Sequence, residues 1–210
     1  MIGESAVFYI VAAGEVCDGD LPVQLREGDF LCAADAGYLR LMAAGQKPDL
    51  LIGDFDSMEE PKDVDRITLP VIKDDTDTVY AVKEGLKRGF RRFRIYGALG
   101  GARISHTVAN IQLLSMIRDM GGEGELLKGK TAISLLGAGD HRSFDSGRRG
   151  LISLFSLTEA SDVTIRGLFY PLDHGELRRI FPLGVSNHFT GEEAEILVHR
   201  GEVLLILEEE

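Results

Sequence analysis

Two short carboxylate clusters carry the clearest chemical signal in this sequence. The first, Gly53-Asp54-Phe55-Asp56-Ser57, follows the apolar run Asp49-Leu50-Leu51-Ile52. Two carboxylates one residue apart at a strand end can hold a hard divalent cation through oxygen. Mg2+ is commonly bound by one or two carboxylates together with substrate phosphates. Taken alone, an Asp-x-Asp after a strand is more often a turn, since Asp and Ser bond their own backbone. The second cluster, Lys73-Asp74-Asp75-Thr76-Asp77-Thr78, opens a helical pattern. Carboxylates and hydroxyls there cap orphan N–H groups and complement the helix dipole. Capping accounts for one or two of these residues. Three aspartates within four positions repel one another, and a cation relieves that repulsion. Asp35, which ends an apolar run, is a further contributor at the same sheet edge, although alone it reads as a helix N-cap.

Two further segments suit a larger ligand. Gly97-Ala98-Leu99-Gly100-Gly101-Ala102-Arg103-Ile104-Ser105-His106 joins a strand to a helix, and its glycines let backbone N–H groups approach a phosphate. Arg103 offers a bidentate contact to phosphate oxygens. The segment is neither G-x-G-x-x-G nor a Walker A sequence, and a glycine turn there also serves packing alone. In Gly184-Val185-Ser186-Asn187-His188, Ser and Asn offer paired donors and acceptors for the edge of a heterocycle. A polar turn between strands explains them equally well.

These residues need elements to hold them. Ala6 to Ala13, Phe30 to Ala34 and Asp49 to Gly53 read as buried strands, and Arg94 to Gly97 as another. Ala36 to Gly45 and Thr76 to Gly89 read as helices stopped by glycine, and apolar positions 104, 108, 111 and 114 mark a third ending near Gly121. Alternating strands and helices predict an α/β domain over residues 1–137, with a mostly parallel sheet and helices on both faces. Ligands then bind at the carboxyl ends of the strands. After Gly139 the pattern changes to the strand-like runs Leu151 to Leu157, Asp162 to Arg166, Glu195 to His199 and Val203 to Leu207. A small all-β domain over residues 138–210 is expected, with the Gly137-Ala138-Gly139-Asp140 stretch as the boundary.

Composition narrows the function classes. The 210 residues carry 34 acidic and 23 basic side chains, a formal charge of −11. That opposes a general nucleic-acid role, which requires clustered Lys and Arg. It suits a cationic substrate or a bound metal. The longest apolar run, Ala6 to Ala13, is too short to span a bilayer and lacks the basic leader of a signal peptide. Cys17 and Cys32 form no metal-ligand spacing and read as free thiols in a reducing compartment, so a cytoplasmic location is expected.

Taken in order, the motifs resemble those of the thiamine pyrophosphokinase family. Ala33-Ala34-Asp35-Ala36-Gly37 is similar to its A-D-G-G segment, and Pro48 to Ser57 follows its P-D-x-x-x-G-D-F-D-S run. Asp75-Thr76-Asp77-Thr78 resembles its T-D element. Gly97 to Gly101, with Arg103, His106-Thr107 and Ala109-Asn110, resembles its G-x-x-G-G-R-x-D-H-T-x-A-N. Gly150 to Leu154 and Ser186-Asn187 resemble motifs of its second domain. The chain departs from the pattern where Ala102 is inserted before Arg103, where Ser105 replaces an aspartate, and where His188 replaces the frequent glutamate. It contains no tryptophan, so ring stacking must come from another side chain.

The resemblance implies a Rossmann-like catalytic domain that binds ATP and Mg2+, followed by a thiamine-binding β-sandwich. It implies a homodimer with sites between the subunits. By carry-over Asp54, Asp56 and Asp77 are the catalytic and metal-binding residues. Asp35, Ser57, Thr76, Ser186 and Asn187 line the substrate site, and Lys73, Arg103, Ser105 and His106 the nucleotide site. The expected reaction is attack by the thiamine hydroxyl on the β-phosphorus of ATP, with AMP leaving. Neither Asp77 nor Asp35 is singled out as general base. Three alternatives stay open: a pyrophosphokinase for another alcohol such as a pterin or pyrimidine, a metal-dependent glycosyltransferase, and a thiamine-binding protein without catalysis.

Overall fold

A computed structural model describes residues 3, 5–55, 61 and 63–210. The chain divides into two compact units, Met1–Gly129 and Lys130–Glu210. The boundary therefore falls before residue 137. Strand 131–137 pairs along its whole length with a strand near the C-terminus and so belongs to the second unit.

The first unit contains β1 (Val7–Val11), β2 (Phe30–Ala34), α1 (Gly37–Ala43), β3 (Leu50–Gly53), β4 (Arg66–Thr68), α2 (Asp77–Lys87), β5 (Arg92–Tyr96), α3 (Ile104–Asp119) and β6 (Glu123–Lys128). Its strands lie in the order β6-β5-β1-β2-β3-β4, and every neighbouring pair among them is parallel. Strands β1 and β3 are buried along their whole length, as continuous apolar runs covered on both faces must be. One face of β1 presents Val7, Tyr9 and Val11, which cluster with Leu31, Ala33 and Leu51 and with Tyr38 and Leu41 of α1. The other presents Phe8 and Ile10, and Phe8 packs with Phe30, Phe90 and Phe93. Helix α2 is capped by Thr76, whose Oγ1 accepts the Val79 N–H at 3.3 Å.

The second unit contains β7 (Thr131–Gly137), β8 (His141–Phe144), β9 (Gly150–Ser156), β10 (Ala160–Arg166), β11 (Leu172–Arg178), β12 (Gly184–His188), β13 (Ala194–Arg200) and β14 (Glu202–Glu209). Within it the antiparallel arrays β12-β9-β14-β7 and β11-β10-β13-β8 share one apolar core. Leu136, Ile152, Leu154 and Leu205 from the first array cluster with Val163, Ile165 and Ile196 from the second. Strand β14 sits between β7 and β9, paired with both along its length.

The sheet content of the whole chain is mixed: parallel pairing belongs to the first unit and antiparallel pairing to the second. Three helices occur among the described residues, all in the first unit, and none is long and apolar enough to cross a membrane.

Candidate functional site

The candidate side chains of the first unit gather where its strands end at their carboxyl termini. Beyond β3, Asp54 meets Lys73, whose Nζ lies 2.8 Å from Asp54 Oδ2. The same ammonium stands 3.0 Å from Oδ1 of Asp77 in the first turn of α2. The three side chains are 16%, 9% and 21% exposed, so the cluster is largely shielded from water. Asp77 Oδ1 is buried, and the Lys73 ammonium is its ion-pair partner. Burial opposes the Lys73 charge, but its contacts with Asp54 and Asp77 outweigh burial and hold the ammonium above its ordinary pKa. Two carboxylates thus converge on one cationic centre. That donor set fits a hard divalent ion, with the lysine nitrogen standing in for it.

Asp35, which follows β2, adopts φ 51° and donates its N–H to the Ile52 carbonyl at 2.8 Å. It therefore sits beside the end of β3, the strand that delivers Asp54. Asp56 and Ser57 lie outside the described residues.

The glycine-rich turn after β5 lines a cavity of about 250 Å3 with Ala12 to Glu15 at the end of β1, Arg40 of α1, Thr78 of α2, and Arg103, His106 and Asn110. The turn is built by close backbone approach. Gly97 has φ 65°, and a Cβ there would lie 2.4 Å from the Ala12 carbonyl oxygen. Thr107 Oγ1 accepts the Gly100 N–H at 3.0 Å, and the buried Asn110 side chain donates to the Ala98 carbonyl at 2.8 Å. Both residues belong to the helix pattern recognised in sequence, and their work is to hold the loop. Glu15 and Lys128 pair at the rim at 2.7 Å. Thr78 lines this cavity and directly follows Asp77, so the carboxylate cluster and the cavity are neighbours.

Arg103 and His106 thus share the cavity, whereas Ser105 is exposed and is not among its lining residues. Lys73, expected on the nucleotide, stands between Asp54 and Asp77. Thr76 spends its hydroxyl on the α2 cap.

Arg40 escaped the sequence reading. Its Nη2 donates to the Ala13 carbonyl at 2.8 Å, and its Nε is buried without a hydrogen-bond partner. The available signal was spacing: Gly37 and Arg40 are three apart on one helix face. At Gly37 a Cβ would lie 1.8 Å from the Val11 carbonyl oxygen. Only glycine lets α1 start against the end of β1 and so bring Arg40 to the cavity.

In the second unit, Ser186 is exposed at φ 56° and donates its N–H to Ser153 Oγ at 3.0 Å. Asn187 is buried. Its Oδ1 accepts the N–H groups of Tyr170 and His188, both at 2.9 Å, and its Nδ2 donates to the Tyr170 carbonyl at 2.8 Å. Its amide fixes the turn that carries Phe169 and Tyr170. Phe169 stacks on His188 with ring centroids 4.4 Å apart, and Tyr170 meets Phe169 edge-on at 4.8 Å. This aromatic group, absent from the sequence reading, supplies ring faces in a chain without tryptophan.

Comparison with known proteins places this architecture. The family model described as thiamin pyrophosphokinase, catalytic domain, matches residues 23–121. The model described as thiamin pyrophosphokinase, vitamin B1 binding domain, matches residues 144–203. The thiamine pyrophosphokinase of Bacillus subtilis (strain 168) is 25% identical over 196 residues, covering 89% of this chain and 91% of that protein. The crystal structure of thiamine pyrophosphokinase from Bacillus subtilis superposes with a TM-score of 0.85 at 23% identity, covering 96% of this chain and 98% of that one. A thiamin pyrophosphokinase family protein from Enterococcus faecalis gives a TM-score of 0.81 at 27% identity, covering 97% and 99%. These superpositions establish the fold: a mixed sheet with few helices, and a second β domain. With both domain models matched in order over most of its length, the chain belongs to the thiamin pyrophosphokinase family.

Proposed function

We propose that this protein transfers a diphosphate group from ATP to the hydroxyl of thiamine, giving thiamine diphosphate and AMP. Beyond family membership, one observation carries the reading. Asp54 and Asp77 converge on a cationic centre beside a glycine-lined cavity that also holds Arg40 and Arg103. This is the donor set of a Rossmann-like nucleotide platform at parallel strand ends. A pterin or pyrimidine acceptor, a nucleotide sugar or a non-catalytic role has no comparable support.

The thiamine hydroxyl oxygen attacks the β-phosphorus, the bond from that phosphorus to the bridging oxygen of the α-phosphate breaks, and AMP leaves. Transfers of this kind depend on positioning and charge neutralisation rather than covalent help. Asp54, Asp77 and, outside the described residues, Asp56 would hold Mg2+, with Asp35 close by. When bound, the ion neutralises phosphate charge that develops during transfer. With the ion held there, Lys73 would be free to pair with nucleotide phosphate instead of the two aspartates. Arg40 and Arg103 hold phosphate oxygens through charge-assisted hydrogen bonds, with His106 beside them and Ser105 at the helix start. Ser57 and Thr76 line the acceptor side. Ser186 and Asn187 build the thiamine site, Asn187 by fixing Tyr170.

A homodimer, with sites between the subunits, suits the exposed apolar surface of the second unit, where Phe169, Tyr170, Ile180, Phe181 and Leu183 are 52–80% exposed. Two free thiols, Cys17 exposed and Cys32 buried, suit the cytoplasm. The test is AMP production from Mg2+-ATP with and without thiamine, followed by mass analysis of the product. Thiamine-dependent AMP together with thiamine diphosphate is expected. AMP formed only with another alcohol, or none at all, overturns the assignment.

A further inference from the structure

The second unit holds a group of side chains that the transfer reaction does not use. One potential ligand atom each from Asp162, His174 and His199 lies within 4.8 Å of the other two. We propose that these three residues form a binding site for one late first-row divalent cation, Zn2+ foremost, on the face of β10 opposite the core. The inference does not rest on the proposed reaction.

Strand alternation alone would not assemble this group. Along β10, Val163 and Ile165 point into the core, so Asp162 and Thr164 point to the other face. Each neighbour of β10 then carries an irregularity within the Asp162–Ile165 stretch. On β11, Gly175 pairs with Val163 and Leu172 with Ile165, so Asp173 and His174 together oppose Thr164 alone. On β13, Arg200 pairs with Asp162 and Val198 with Val163, so His199 is the extra residue. Bulges re-aim side chains in this way and recur at functional positions. Here two bulges, on the two strands flanking β10, each deliver a histidine to the Asp162–Thr164 stretch. His174 also takes the left-handed conformation, φ 48°.

The contacts suit a metal centre. His174 Nδ1 lies 3.1 and 3.2 Å from the two carboxylate oxygens of Asp162. Two ligands of a tetrahedral zinc ion at ordinary bond lengths stand about 3.3 Å apart. His199 Nε2 lies 2.8 Å from Oγ1 of Thr164, a residue only 2% exposed, and the same oxygen accepts the His174 N–H at 3.3 Å. In the tautomer in which His199 gives its Nε2–H to Thr164, its other ring nitrogen is kept for a metal. The two imidazoles stack with centroids 4.1 Å apart. Nearby Arg200 faces Glu176 at 3.8 Å, and Glu176 also meets Arg178 at 3.4 Å. Two imidazoles and one carboxylate favour zinc, cobalt, nickel or copper over Mg2+, and three protein ligands leave a coordination position open.

The chelator-stripped full chain is titrated with Zn2+ against a chromophoric competitor, in excess Mg2+. A background carrying Cys17→Ser and His141→Ala removes the exposed thiol and the His141–Glu195 pair as rival ligands. One equivalent of micromolar or tighter zinc is expected, together with a zinc-dependent rise in melting temperature. His174→Asn, chosen because asparagine tolerates the left-handed conformation, and His199→Ala each weaken binding by at least about tenfold. Circular dichroism checks that these exposed positions leave the fold intact. No zinc binding, or equal binding by a folded variant that carries both His174→Asn and His199→Ala in this background, overturns the proposal.

Discussion

The Asp54–Lys73–Asp77 cluster and the Asp162–His174–His199 cluster each bring three polar side chains together, by different structural routes. In the first unit the strands are parallel, and β1 and β3 are covered on both faces, so the candidate side chains gather beyond the strand ends. The backbone there is shaped by glycine, as at Gly97. In the second unit β10 has one face on the core, and the group stands on its other face. It depends on register irregularities in both neighbouring strands. A parallel sheet places chemistry at an edge, whereas an antiparallel sheet places it on a face and needs bulges to concentrate it. The ligand chemistry diverges as well: oxygen donors around an ammonium suit a hard ion, and imidazoles suit a softer one.

The contrast breaks most sharply by a reciprocal test. Asp54→Asn and Asp77→Asn should each lower AMP formation by roughly 10²–10³-fold, the scale of losing a transition-state charge contact, while zinc binding stays unchanged. If either variant keeps near-normal turnover, the metal assignment in the first unit fails. Gly97→Ala tests the strand-end architecture itself. A side chain at φ 65° against the Ala12 carbonyl should cost on the order of 3 kcal/mol in urea unfolding.

Asn187→Ala is the counterpart in the second unit. It leaves the backbone groups of Tyr170 and His188 unpaired and should cost about 2 kcal/mol in the same measurement. The smallest effect expected is from Lys73→Met, about 1 kcal/mol at neutral pH. The folded-state pKa of Lys73 lies above its ordinary 10.5, so its stabilisation is complete below that pH and fades as pH climbs through the folded value. The gap in melting temperature between Lys73→Met and the parent should therefore be constant from neutrality to about pH 10 and shrink above it. A gap that is unchanged at higher pH would separate Lys73 from the two aspartates.

The first unit was legible where one physical signal dominated. Runs such as Phe30 to Ala34 are strands by composition alone, and Thr76 announced its cap. The strand-end position of Asp54 and the loop role of the Gly97 segment followed from the same reading. Strands β6, β8 and β11 were missed because Glu123 to Lys128, His141 to Phe144 and Leu172 to Arg178 alternate weakly and carry charges on their exposed sides. Strand β7 reads as apolar, but its partner is β14, more than sixty positions away, and local pattern cannot show that pairing. Arg40 stayed hidden for a related reason: its position depends on how closely Gly37 approaches β1. The two histidines at the bulges were invisible because a bulge is a property of paired strands, and each strand on its own reads as regular.

The placement of β14 also bears on how the protein is made. The first unit is drawn from a continuous stretch of chain ending at Gly129, so its contacts become available in the order in which they emerge from the ribosome. In the second unit the strand lying between β7 and β9 is later in sequence than both. Until it arrives, the edges of β7 and β9 that it will join stay unpaired, and unpaired edges invite other chains. Nascent chains stalled before Glu202 should therefore be the form most dependent on chaperones, with a folded first unit and a second that cannot close.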